Sequence, residues 1–294
     1  MHCKKETLWG WILVSPLALG LTVWVAFPLG VAISTSLFKW NMISKPIFVG
    51  LQNYSFMLFG DHLFWQALKV TLVFTLTSVP LQMLLAFAAA LLLNTQVRGM
   101  GVFRTIFYLP ALIPIMVSTA LWMFLYNPQY GLFNLILDNL GLPTLQWLLD
   151  SATVIPSLII MSLWSIGNVV IIFLAGLQGI PKELEEACII DGGNYWQRMR
   201  AVILPQMSPI IFYNLVMGII GGLQTFTQPY IMTNGGPSNA SLTLMLHLYK
   251  QAFNFSKMGY ANALAVVLLL MTIAVSLLVF RSSRSWVYYE GDRK

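Results

Sequence analysis

Charged residues punctuate this chain sparingly, and the intervals between them are long. Uncharged runs of 32 residues separate Glu6 from Lys39, 28 Lys69 from Arg98, 33 Arg104 from Asp138, 31 Asp150 from Lys182, 49 Arg200 from Lys250 and 23 Lys257 from Arg281. Each exceeds the roughly 20 residues that carry a helix across about 30 Å of hydrocarbon. A charge at a helix centre costs about 2.5–3.5 kcal/mol, while each Leu, Ile, Phe or Val contributes only about 0.3–0.6, so charge-free blocks are what insertion demands. Trimmed by turn residues, the runs predict six spans at about 8–37, 64–93, 102–126, 153–177, 209–232 and 260–280. The longest interval has length for two spans, but Thr233-Asn234-Gly235-Gly236-Pro237 breaks it and the following segment is moderately polar. It counts once.

Composition agrees with this pattern. Of 294 residues, 58% are hydrophobic and 9% charged, against roughly 25% charged in a soluble domain, and the mean hydropathy is +0.76. A soluble protein is excluded. With the N-terminus inside, Lys4, Lys5, Arg98, Arg104, Lys182, Arg198, Arg200, Arg281, Arg284, Arg293 and Lys294 are cytoplasmic, and Lys39, Lys45, Lys69, Lys250 and Lys257 are outside. This split of 11 to 5 places both termini in the cytoplasm. The net charge of +6 therefore reads as topology, since the bases are scattered over short segments rather than gathered into a nucleic-acid patch. The apolar run after Lys5 is too long for a signal-peptide core and reads as a retained first span. Cys3 and Cys188 suggest neither a disulfide framework nor a metal site, and His2, His62 and His247, read as loop residues in different compartments, are ordinary polar groups.

The connection at 178–207 carries the most information. Pro181 suits the first position of a helix whose positive end is matched by Glu183, Glu185 and Glu186, with Gly192 or Gly193 closing it in a left-handed turn. Asn194 with Gln197 forms a capping-box pattern for a second short helix, expected to end at Pro205. Leu184, Ala187 and Cys188 form an apolar stripe on the first helix, and Trp196, Met199 and Ile203 form one on the second. These faces require either a partner surface or the ends of the protein's own spans.

The segment EEACIIDGGNYWQRMRAVILP resembles the EAA loop of ATP-binding-cassette importer permeases: Glu186, Ala187, Gly192, Leu204 and Pro205 are in register, with Cys188 at the second Ala and Val202 at the usual Ile. VGLQNY at 49–54, FRTIFYLPALIP at 103–114, GLQGIPKELEEA at 176–187, TNGGP at 233–237 and GYANALA at 259–265 are similar to segments of carbohydrate-uptake permeases, in particular maltose, lactose and glycerol-3-phosphate subunits. The resemblance implies an all-α, type I importer permease: a single domain over 1–294 with the coupling loop at 178–207. It implies as partners a second, homologous permease, two cytoplasmic ATPase subunits and an extracytoplasmic solute-binding protein, in a bacterial or archaeal plasma membrane. Glu186, Ala187, Asp191 and Gly192 would meet the ATPase. ATP binding would draw the loops of the two permeases together and turn the cavity outward.

ATP hydrolysis is not expected in this chain, because a Walker A loop needs Gly-Lys and none of the 21 glycines precedes a lysine. No catalytic constellation, metal site or cofactor site is evident. An ion-coupled carrier is the rival from another class; it commonly places ionisable groups within spans, and none lies near a span centre here, although sodium coupling through backbone carbonyls is a second route for such a carrier. At 100° per residue, Asn214, Gly218, Gly221, Thr225 and Gln228 fall within an arc of roughly 80° on the fifth span. That small, polar face serves either close helix packing or a translocation cavity. Asn214, Gln224, Thr225 and Gln228 are the substrate-binding candidates, with Ser165 and Asn168 on the fourth span able to join them and Trp164 and Tyr230 as stacking surfaces. The expected cargo is a disaccharide or oligosaccharide, with a glycerophosphate as the second choice, since intramembrane cations are scarce. An apolar segment at 130–140, ending at Gly141 and Pro143, is expected to lie as a helix at the outer membrane surface.

Overall fold

In the computed structural model of the protein, residues 2–95 and 97–288 are described, with side chains from Trp9 onward. Arg293, Lys294 and the side chains of His2, Cys3, Lys4 and Lys5 lie outside the described residues. The chain begins with α1 (His2–Leu21), a π-helical turn (Thr22–Ala26) and α2 (Phe27–Thr35), then a ribbon of β1 (Phe38–Lys39) and β2 (Ile47–Phe48). There follow α3 (Gln52–Phe59), α4 (His62–Leu93), α5 (Met100–Leu112), α6 (Ile115–Leu125), α7 (Leu132–Asn139), α8 (Val154–Trp164) and α9 (Gly167–Gln178). The remainder is α10 (Lys182–Ile190), α11 (Tyr195–Arg198), a π-helical turn (Met199–Ile203), α12 (Leu204–Leu223), α13 (Thr227–Thr233), α14 (Leu244–Tyr249), a π-helical turn (Lys250–Asn254) and α15 (Met258–Ser283).

Among the described residues, four helices are long and apolar enough to cross a bilayer: Trp9–Thr35, His62–Leu93, Tyr195–Thr233 and Met258–Ser283. Two further pairs are bent, α5 with α6 by 98° and α8 with α9 by 46°, which makes six spans if each pair counts as one. The span expected at 102–126 is therefore bent within its length, and Pro114 explains it. Pro114 has no N–H for the carbonyl of Pro110, and the residue before a proline avoids helical backbone. Ile113 is accordingly extended, at φ −77° and ψ 126°.

The fifth span differs from expectation at both ends. Pro205 does not stop the second loop helix; the π-helical turn Met199–Ile203 carries the backbone past the missing donor, so helix runs on from Tyr195 through Pro209. At the far end α12 stops at Leu223 and α13 starts at Thr227. Here Pro229 cannot donate to the carbonyl of Thr225, and the Thr243 hydroxyl donates to it instead at 2.8 Å. The single 100° wheel over this span therefore holds only as far as residue 223.

By contacts the chain divides into two compact units, one of 1–64 with 247–270 and one of 65–246 with 271–294. In the first, the ribbon departs from an all-α fold: the Asn41 side chain accepts hydrogen bonds from the backbone of Ile43 and Ser44 and turns the chain. Gly259 is required beside it, because a Cβ there would lie 1.8 Å from the Phe38 carbonyl oxygen. His247 is not a loop residue. It sits in α14, buried, donating through Nε2 to Asp61 at 2.7 Å, and Tyr260 donates to the same carboxylate oxygen. His62 likewise opens α4. In the second unit, one core joins Ala86 and Ala90 of α4, Val170 and Phe173 of α9, and Met199, Ile203 and Met207. An aromatic cluster of Trp122, Tyr126, Phe133, Trp147 and Trp164 fixes α7, and Asn134 ties the same region through bonds with Pro128, Leu145 and Trp147.

Candidate functional site

Two parts of the second unit carry candidate chemistry: the 178–207 loop and a polar cavity. In the loop Pro181 occupies the cap position of α10, one residue before the place expected. The capping box of α11 is complete: the Asn194 side chain accepts from the Gln197 N–H at 3.0 Å, and the Gln197 side chain accepts from the Asn194 N–H at 2.7 Å. Gly192 holds the turn between the helices at φ +79°, where a Cβ would meet nothing within 4 Å. Gly193 serves differently: a Cβ there would lie 2.6 Å from the Cys188 Sγ and 2.7 Å from the Cys188 oxygen. Arg198 pairs with Glu185 at 3.5 Å across the two helices.

The apolar stripes divide between both destinations left open by the sequence. Met199 and Ile203 are buried in the core with α9. Trp196 stays 68% exposed, Ile190 85% and Leu184 40%, and Glu186, Ala187, Asp191 and Gly192 are exposed beside them. The loop thus has a buried root and an open apolar tip.

The cavity, of about 370 Å³, lies where the spans break. The end of α8 contributes Ser162, Ser165 and Ile166, and the break after α12 contributes Gln224, Thr225, Phe226, Thr227 and Gln228. Irregular backbone at membrane depth is tolerated where it lines a cavity, because the carbonyls and amides freed by the break need partners. From α4 come Phe74, Ser78, Val79 and Gln82. Among the described residues the lining has no charged side chain.

Three of the four substrate candidates, Gln224, Thr225 and Gln228, are brought together in this lining. Asn214 is not: it is buried, and its amide donates to the carbonyl of Ile210 in its own helix at 2.9 Å. The small face of α12 serves both purposes weighed for it. Cβ atoms at Gly218 and Gly222 would come within 2.9 Å of Val79 and 2.8 Å of Thr75, so these glycines let α12 approach α4, whereas Gly221 has open space. Ser165 lines the cavity and also, with Asn168 and Trp164, a neighbouring one of about 290 Å³. Tyr230 stacks on Phe226, ring centroids 5.1 Å apart. Sequence reasoning missed Gln82 and Ser162, although an amide 13 residues after Lys69, inside an uncharged run, was a usable signal.

Fold and site together define a helical, multi-pass membrane protein in which one helical stretch, Tyr195–Thr233, links a protruding two-helix loop to a polar cavity. The chain belongs to the family of binding-protein-dependent transport system inner membrane components, whose pattern matches residues 82–286. It is 36% identical to the probable ABC transporter permease protein YesP of Bacillus subtilis over 99% of this chain and 95% of that one. It is 30% identical to the trehalose/maltose transport system permease protein MalF of Thermococcus litoralis, with 95% of each covered. A bacterial alginate ABC transporter, solved in complex with an alginate pentasaccharide-bound periplasmic protein, shares the fold at a TM-score of 0.82 and 20% identity, with 96% of each chain covered.

Proposed function

We propose that this chain is the permease subunit of an ATP-driven, binding-protein-dependent importer of a neutral saccharide. In this reading the whole chain acts as one permease domain with six spans and both termini cytoplasmic. It forms half of the pathway with a second, homologous permease. The observation that carries the reading is the cavity at the two span breaks, polar but uncharged, with the amides of Gln82, Gln224 and Gln228 and the hydroxyls of Thr225 and Thr227. Amides, hydroxyls and free backbone carbonyls replace the hydration of sugar hydroxyls without a net charge. A glycerophosphate or an acidic sugar would need a cation to offset its burial, and the lining offers none. The relative described as a trehalose/maltose permease supports the same cargo class.

Two cytoplasmic ATPases would seat the exposed tip around Trp196 and Ile190, with Glu186 and Asp191 as polar contacts and Gly192 as the turn that brings the helices together. A solute-binding protein would deliver the sugar from outside, as the alginate transporter's periplasmic partner suggests by analogy of fold. Because the loop and the cavity lie on one helical stretch, displacement of the first moves the lining of the second. The test is uptake by proteoliposomes holding the chain with its co-encoded permease, ATPase and binding protein. Accumulation of labelled trehalose, maltose or maltotriose should require internal ATP and the binding protein. Uptake driven by a sodium or proton gradient without ATP would support the ion-coupled rival instead.

A further inference from the structure

Resting on the reading of this cavity as the saccharide site, we infer that Gln82 of α4 discriminates between saccharides by direct hydrogen bonding. Gln82 Nε2 donates to Ser162 Oγ at 3.0 Å, and the Ser162 hydroxyl is itself committed as a donor to the Ile159 carbonyl at 2.7 Å. That bridge fixes the amide while using one of its two N–H donors and neither lone pair of Oε1. The residue is partly exposed and lines the cavity, so one donor and one acceptor stay available to a ligand.

One turn earlier, Ser78 lines the same cavity, buried, and its Oγ has no hydrogen-bond partner. Its neighbours Thr71 and Thr75 donate to their own helix, to the carbonyls of Ala67 and Thr71, at 2.8 and 2.7 Å. Buried hydroxyls are rarely left unpartnered, so the Ser78–Gln82 face of α4 carries unspent polar capacity into the cavity. An amide with a donor and an acceptor side by side suits two neighbouring sugar hydroxyls, and a pair of this kind is sensitive to the geometry of those hydroxyls. Sites built to hydrogen-bond a hydroxyl reject analogues that misplace it, because the site's own polar group is left unpaired.

The experiment measures KM and kcat for trehalose, maltose and maltotriose in proteoliposomes of the complete transporter carrying Gln82→Met, Gln82→Asn or Ser162→Ala. Loss of one hydrogen bond made to one saccharide and not another changes the ratio of their kcat/KM values by about 3- to 10-fold. Gln82→Met should change it by that factor, Gln82→Asn by less, and Ser162→Ala, which frees the amide to rotate, in the same direction as Gln82→Met. If Gln82→Met reaches the membrane poorly, Gln82→Asn and Ser162→Ala carry the comparison. An equal loss for all three saccharides would reduce Gln82 to an interhelical tie and overturn the inference while leaving the proposed function standing. A wild-type transporter that moves none of them would remove both.

Discussion

Replacement of Gly192 tests the backbone conformation of the turn between the loop helices. The residue sits at φ +79°, and an added Cβ would meet no atom of this chain within 4 Å, so within the chain an alanine costs what its backbone preference costs. For an L-residue the left-handed region costs about 1–2 kcal/mol, less for Asn, whose short polar side chain tolerates it, and more for a β-branched residue. An alanine should therefore lower the population of the native turn about 5- to 30-fold, and coupling should fall in the order Gly, Asn, Ala, Val. The assay is the number of saccharides taken up per ATP hydrolysed in proteoliposomes, with membrane abundance measured in parallel. In the Val variant the expected result is continued hydrolysis with uptake lost and abundance kept. Gly193→Ala provides the steric contrast: its Cβ would strike both Sγ and the carbonyl oxygen of Cys188, so the added substitution Cys188→Ala should not rescue it. A Gly192→Val protein with the wild-type ratio would refute the argument that the turn transmits the work of ATP.

The paired glycines of α12 make a second contrast. Gly222→Val should loosen the α4–α12 contact through Thr75 by about 1–3 kcal/mol and lower the melting temperature in detergent, while Gly221→Val should melt like wild type and fail to transport; equal melting of the two would contradict the assignment. Asp61 gives the pH test. Burial opposes its ionisation, but hydrogen bonds from Tyr260 and His247, the charge of His247 and the Leu63 N–H outweigh this and hold its carboxyl below the ordinary 3.8. Its stabilisation is thus complete above that value and lost as pH falls through the folded value beneath it. Asp61→Asn should lower the melting temperature at pH 7, with the difference from wild type shrinking toward pH 3; a constant difference would show that the ionised carboxylate does not stabilise the fold.

Much of the architecture was legible in the spacing of charges, because insertion depends on uninterrupted apolar length more than on packing detail. The loop helices were also legible, since Asn194 with Gln197 and the Gly192–Gly193 turn are local backbone chemistry. What charge spacing did not convey was where spans bend. Pro114 and Pro229 were visible, yet a proline within an apolar run can be absorbed, as Pro205 is by a π-helical turn, and only the surrounding packing decides. The break before Pro229 is what turns Gln224, Thr225 and Gln228 into one wall, whereas Asn214, chosen on the same wheel, satisfies itself within its helix. The Asp61, His247 and Tyr260 cluster unites residues nearly 200 positions apart, a pairing no local pattern encodes.

Import by the proposed route requires a saccharide to occupy the cavity at the span breaks. That occupancy is tested most directly by the rate at which a maleimide labels Ser165→Cys, in a background with Cys3 and Cys188 replaced by Ala, within the complete transporter. Labelling should slow when sugar-loaded binding protein and a non-hydrolysable ATP analogue are both present, and not with sugar-free binding protein and the analogue. Labelling indifferent to sugar, in a transporter that still imports it, would show that the saccharide does not pass through this cavity.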